Sequence, residues 1–270
     1  EELDGTPIEG QRALEMTIIL AQEAGKLASM FLKKPHDLEY EKTFLAFLLL
    51  SKKRYVGMLY ELDPHSCYRK EMGIVLKRRD NAPIVKDVYG GIIDILMKEN
   101  DVTKAVTFLK NSLQNLVDGN CPMEKLIVTK SLRGHYKNPA QIAHKVLADR
   151  MGRRDPGNKP ASGDRIPYAY VQVEGKGLKQ GEKIEHPEYI RQKGLKLDYS
   201  FYISNQIMKP VQQVFAQVLP ELAGYDVRRR SRVEDALETL RSTLEDEAYR
   251  KKEMDVKCKE VKSLLFDDYL

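Results

Sequence analysis

The sequence predicts an α+β fold, a helix over strands followed by a mostly helical stretch, on three observations. Apolar residues recur with a helical period across residues 12–32. Strand-like pieces separated by turn signals fill the region to about residue 80. From Ile84 onward helical periodicity dominates, and the strand-like interruptions are short.

Taken in order, Leu14, Ile18, Ala21, Ala24, Ala28 and Phe31 mark one face of the first helix, which is expected to cover a sheet. Lys33-Lys34-Pro35 stops it, because proline disfavours helix at the residue before it and lacks a donor. Strands are expected at 37–41, 54–61 and 72–77, the last two joined by the turn signal Asp63-Pro64-His65-Ser66. Residues 43–50 are too uniformly apolar for a period to decide, so strand and buried helical turn both stay open. Helices follow at 84–99 and 102–117, with Asp101 as the N-cap of the second. The Gly90-Gly91 pair in the first is either a weak point or a place of close packing. A short strand at 126–129 leads to a helix at 138–151 whose Pro139 suits the first turn. Residues 152–167 read as a Gly, Pro, Asp and Arg loop, 168–173 as a strand, 174–183 as a turn and 199–219 as a helix around Pro210. The tail, 231–266, reads as one long charged helix.

Composition removes several classes of function. The 270 residues are 42% hydrophobic and 31% charged, enough for one large domain or two ordinary ones with a real core. Cys67, Cys121 and Cys258 lie far apart with no CxxC pair, which points to a reducing, intracellular setting rather than a disulfide framework or thiolate zinc. The longest apolar run, 44–50, is far short of the roughly 20 residues a bilayer demands. The chain opens at Glu1 rather than Met, in a polar stretch, and is expected to be a piece of something longer. No Walker loop, GxGxxG or GxSxG occurs, and His36, His65, His135, His144 and His186 show no metal-ligand spacing.

The net charge of +5 conceals a local excess. Residues 121–171 hold ten basic side chains against four acids, whereas eleven of each cancel from Arg228 to the end. A localised surplus is the footprint of a polyanion partner, with a solubilising surface as the competing reading. Four constellations add detail. Glu39 and Glu41, at i and i+2, share a strand face and want a cation between them: a divalent metal or neighbouring Lys and Arg, against the plain reading of a solvent-facing strand edge. Lys52-Lys53-Arg54-Tyr55 joins three cations to a phenol, suited to phosphates and minor-groove acceptors, or acts as a gatekeeper run beside the apolar 44–50. Arg78-Arg79-Asp80 leaves the adjacent predicted strand, which would extend a basic strip. The loop of Arg150 to Asp155 and Asp164-Arg165 either binds phosphate or is held by its own salt bridges.

The order of these patterns carries a resemblance. Leu38 to Lys42, Lys52 to Tyr55, Arg78 to Asn81, Ile127 to Lys130, His144 to Met151, Arg154 to Gly157 with Gly163 to Tyr168, and Tyr202 to Pro210 together resemble the carboxy-terminal part of family B DNA polymerases, delta-type and large-DNA-virus members above all. The resemblance implies that residues 1–82 end a palm domain, a helix packed on antiparallel strands, and that 83–270 form a mostly helical thumb with a charged tail. It implies primer–template DNA binding by Lys52, Lys53, Arg54, Tyr55, Arg78, Arg79, Asp80, Lys130, His144, Arg150, Arg154 and Arg165. Glu39 and Glu41 match carboxylates linked in some members to an auxiliary metal, which turns the reading of that pair from strand edge to ligand.

The complete enzyme so implied adds deoxynucleotides to a primer 3′ end, taking primer–template DNA and deoxynucleoside triphosphates as partners and Mg2+ as cofactor. It would work inside the cell, at sites of DNA replication in the nucleus or a viral compartment. The family's Asp-Thr-Asp motif is absent from these residues, so no catalytic residue is expected in the chain, and the rival reading is a non-catalytic duplex-binding module. An upstream reading frame with that motif would separate the two. The charged end, in place of cysteine-rich metal modules, favours a viral source. Leu265, Phe266 and Tyr269 loosely resemble a sliding-clamp peptide, against the simpler reading of an apolar stripe on the last helix.

Overall fold

A computed structural model of the chain describes residues 5–77, 81–175 and 177–270. It divides into two compact units, Glu1–Lys77 and Arg78–Leu270. Among the described residues no helix is long and apolar enough to cross a membrane.

The first unit is a helix, α1 (Gly10–Ser29), on an antiparallel sheet ordered β1 (Thr43–Ser51), β2 (Arg54–Tyr60), β3 (Cys67–Met72). The apolar 43–50 stretch is therefore strand. Leu14 and Ile18 are buried and Ala21 and Ala28 half-buried, but Ala24 and Phe31 are exposed, so the covered stripe is narrower than the sequence pattern. Residues 37–41 are not a strand. Leu38 spends its backbone on the end of α1, donating its N–H to Ser29 Oγ (2.7 Å), and its carbonyl crosses so close to Gly25 that a Cβ there would stand 2.8 Å away. The third strand begins at Cys67 rather than Met72 because Gly73, at φ +63°, ends it, and Val75–Lys77 forms a 3-10 turn instead.

The second unit opens with α2 (Pro83–Lys98) and α3 (Val102–Val117), packed on each other, with Val88, Ile92, Leu109 and Leu113 buried. Asp101 does cap α3, accepting Lys104 N–H at 2.8 Å. The Gly90-Gly91 question resolves to close packing: a Cβ on Gly91 would lie 2.4 Å from the Phe108 ring. A small antiparallel sheet follows, β4 (Val128–Ser131), β5 (Arg165–Tyr170) and β6 (Ile184–Glu185), with α4 (Ala143–Arg154) between its first two strands and α5 (Pro187–Lys193) after its last.

The predicted helix around Pro210 is present but interrupted in kind. Between α6 (Tyr199–Phe201) and α7 (Met208–Phe215) the turns widen to π geometry over Tyr202–Ile207. Pro210 offers no N–H to the Gln206 carbonyl and its ring crowds it, which favours the wider turn. Tyr202 is fully buried there and fully satisfied, donating to Leu126 O (2.7 Å) and accepting Tyr170 N–H (3.0 Å). The charged tail is two helices rather than one, α8 (Val227–Arg241) and α9 (Asp246–Leu265), folded on each other. Ser242 and Thr243 hydroxyls turn back onto Thr239 O, ending α8, and Asp246 and Glu247 suit the positive start of α9. The Arg229–Glu260 pair (2.8 Å) ties the two together.

Candidate nucleic-acid interface

Three cations from the charge-rich stretch converge around one hollow of about 480 Å³ in the second unit. Strand β4 supplies Lys130, the turn after it Arg133, and β5 Arg165; Tyr136 and His144 close the wall. Ser131 lies opposite Arg165 and Lys130 opposite Ile166, so the pleat starts Lys130 and Arg165 on opposite faces of the small sheet, and both line the hollow at its edge. The Arg165 guanidinium leans on Ser131 Oγ and Thr129 O, both at 3.4 Å, which aims it without neutralising it.

The histidine is set by a short relay. Arg133 donates its backbone N–H to Tyr136 Oη (2.7 Å), which leaves the phenol proton directed at His144 Nε2 (3.0 Å). Burial, with the Lys130 charge next and the Arg133 charge after it, holds the imidazole below the usual histidine value, against a hydrogen bond to the Ser131 backbone that pulls the other way. An anion entering this hollow would oppose those positive charges and so favour uptake of a solvent proton by the imidazole.

Arg150 and Arg154 do not join it. Both turn to Glu185, which is only 3% exposed. Arg150 donates to Gly181 O (2.6 Å) and Ile184 O (3.0 Å) and stands 3.7 Å from the Glu185 carboxylate; Arg154 donates to that carboxylate at 2.9 Å and stacks over Tyr189 at 3.7 Å. Of the two fates weighed for this loop, internal salt bridging is the one the structure shows for these arginines.

In the first unit Lys52 and Lys53 form the exposed tip of the β1–β2 hairpin, with Arg54 and Tyr55 entering β2 behind them. Lys53 sits at φ +60°, a strained conformation for a residue with a Cβ, and Gly73 is pressed under its carbonyl, where a Cβ would come within 2.2 Å. Tyr55 packs its ring against Phe44 and Phe47. Arg78, Arg79 and Asp80 lie outside the described residues. Glu39 and Glu41 are exposed on the non-strand segment, and Glu41 pairs with its neighbour Lys42, so the shared-face geometry does not form. Among the described residues no three His, Cys, Asp or Glu side chains converge as a metal would require. Leu265 (4% exposed) and Phe266 (0%) are buried in the second unit's own core, so the apolar-stripe reading holds for them; Tyr269 is half-buried.

Sequence reasoning counted Arg133 only within the charge surplus and did not single out Tyr136, Glu185 or Tyr189. Arg133 and Tyr136 belong to an irregular turn, where no period marks a shared face. Glu185 gave no signal, because Glu182, Lys183, His186 and Glu188 make its neighbourhood polar and nothing local marks one acid as buried.

Comparison with known proteins gives this geometry a context. A sequence model of the family described as DNA polymerase family B matches residues 8–218. The chain is 51% identical over 265 residues to a DNA polymerase of Pyramimonas orientalis virus, covering 96% of the chain and 22% of the relative. It is 49% identical over 209 residues to a DNA polymerase of Acanthamoeba polyphaga mimivirus (76% and 12%), and 35% identical over 212 residues to a DNA polymerase delta catalytic subunit of Candida albicans (78% and 20%). The chain thus spans about a fifth or less of the length of these relatives.

Proposed function

Since the chain belongs to the family B DNA polymerases, we propose that it serves template-directed addition of deoxynucleotides to a primer 3′ end, with its helical unit holding primer–template duplex. Residues 83–270 act as the thumb in this reading, and residues 1–82 as the carboxy-terminal part of the palm. The observation that carries it is the convergence of Lys130, Arg133 and Arg165 on one open hollow beside a neutral histidine. Cations so placed neutralise backbone phosphates, which gives affinity and position without reading sequence. Lys52 and Lys53, held out on a braced hairpin tip, suit a contact to the backbone near the primer terminus. The work is done where DNA is replicated inside the cell, with deoxynucleoside triphosphates as co-substrates of the complete enzyme.

The divalent metal such chemistry uses finds no ligand set among the described residues. The role proposed for this chain is holding and positioning DNA. The test is duplex binding by fluorescence anisotropy across 50–200 mM salt. Log affinity should fall with log salt at about −0.9 per phosphate neutralised. Binding indifferent to salt would sink the reading.

A further inference from the structure

The hairpin between β1 and β2 turns on Lys52 and Lys53, which stand between the paired Ser51 and Arg54. At φ +60° Lys53 occupies the left-handed region, where hairpins ordinarily place glycine or asparagine because a Cβ is strained there. A tip that had only to reverse the chain would relax with glycine at this position. A lysine in that conformation has to be held by its surroundings.

The hold comes from the end of the third strand. The register that sets Met72 opposite Tyr55 carries Gly73 alongside Arg54. A Cβ on Gly73 would stand 2.2 Å from the Lys53 carbonyl oxygen, 3.3 Å from its carbonyl carbon and 3.1 Å from Arg54 Cγ. Gly73 is itself at φ +63°, so two separate demands, backbone sign and space, fall on one position. Its neighbours fix it in place: Met72 is paired in β3 and Ile74 is buried. Lys52 and Lys53, by contrast, are exposed. A side chain added at 73 therefore displaces the tip rather than the turn beneath it.

We infer that Gly73 is a positioning residue for Lys53: with no side chain between them, it seats the Lys53 carbonyl, fixes the left-handed peptide and so sets the direction in which the lysine stem leaves the hairpin. The inference rests on the reading of this tip as a contact near the primer terminus, and it adds the residue that aims the contact. Lys53 is the group that touches DNA, and Gly73 acts through it.

The experiment gives the full 270-residue chain a duplex whose recessed primer ends in a periodate-oxidised ribonucleotide. A lysine amine within reach condenses with the terminal aldehyde, losing water, and cyanoborohydride reduces the imine to a stable amine that peptide mass spectrometry assigns. Lys52→Arg serves as the parent, so that the tip signal is that of Lys53 alone. In this parent Gly73→Ala should cut Lys53 labelling about tenfold, because yield follows alignment, while duplex affinity read by anisotropy holds. Gly25→Ala controls for mere destabilisation of the same unit: its Cβ also meets a backbone carbonyl, Leu38 O at 2.8 Å, but outside the hairpin, and it should leave labelling unchanged. Lys53→Gly, which removes the strain and leaves Gly73 in place, should raise the melting temperature, and that melt decides the matter even where Gly73→Ala fails to fold. Full labelling in folded Gly73→Ala, equal losses in Gly73→Ala and Gly25→Ala, or an unchanged or lower melting temperature in Lys53→Gly each overturn the role of Gly73 alone. Absence of Lys53 labelling in the parent overturns the primer-terminus reading of the tip, and this inference with it.

Discussion

Two groups of cations in the helical unit come from the same charge-rich stretch and end in opposite states. Lys130, Arg133 and Arg165 stand around a hollow, and Arg165 is held by two long contacts to the neighbouring strand β4. Arg150 and Arg154 are drawn onto one buried carboxylate, Glu185, and one of them onto the Tyr189 ring as well. The difference lies in the acid. A carboxylate that is 3% exposed costs several kcal/mol unless it is paired, so it recruits whichever guanidiniums α4 brings past it. Arginine count therefore measures the charge available to a partner only after the buried acids have taken their share.

The sharpest way to break this division is to remove the acid. Glu185→Ala strands two guanidiniums, one with a buried Nε that already has no hydrogen-bond partner. The expected loss is about 3 kcal/mol, read as a lower urea midpoint, because breaking a buried pair leaves an uncompensated charge. Arg154→Ala should cost about 1 kcal/mol, reduced by the partial exposure of that side chain, and should leave the salt slope of duplex binding unchanged. Lys130→Ala should do the reverse: stability within about 0.5 kcal/mol of wild type, and a slope smaller by about 0.9. A slope change in Arg154→Ala as large as that in Lys130→Ala would abolish the distinction.

The same contrast shows what was readable in the residues. Helices expected over 84–99 and 102–117, the Asp101 cap and the hairpin turn at 63–66 follow from local period and turn chemistry, and the structure has them within a residue of those bounds. The motif order identified the family. Local pattern failed where a distant partner decided. Leu38 reads as strand until Ser29 takes its N–H, Met72 reads as a strand start until Gly73 turns against the Lys53 carbonyl, and the tail reads as one helix until Glu260 pairs with Arg229 across a bend. Arg150 and Arg154 matched a binding motif by spacing, and spacing does not show that Glu185, some 30 residues on, is buried beside them. Phe266 matched a docking peptide by composition, whereas its burial follows from how α9 packs on α7.

The smallest expected effect is also the one that places His144 on the open side of the division. Its imidazole is held below the ordinary value near 6.5 by burial first and by Lys130 and Arg133 after it. A lowered folded value means that the neutral ring contributes stability that is present above about pH 6.5 and lost as pH falls through the folded value. A phosphate entering the hollow changes the balance, because its charge opposes those of Lys130, Arg133 and Arg165 and lets the ring take a proton. Duplex affinity should therefore rise modestly as pH falls from 7.5 to 5.5, even as the free protein becomes slightly less stable. His144→Gln keeps a polar group opposite Tyr136 Oη but removes the titration, so both trends should flatten in anisotropy and thermal melts over that range. If the variant keeps the wild-type pH dependence of binding, the proton goes elsewhere and His144 belongs with the internal group, beside Arg150 and Arg154.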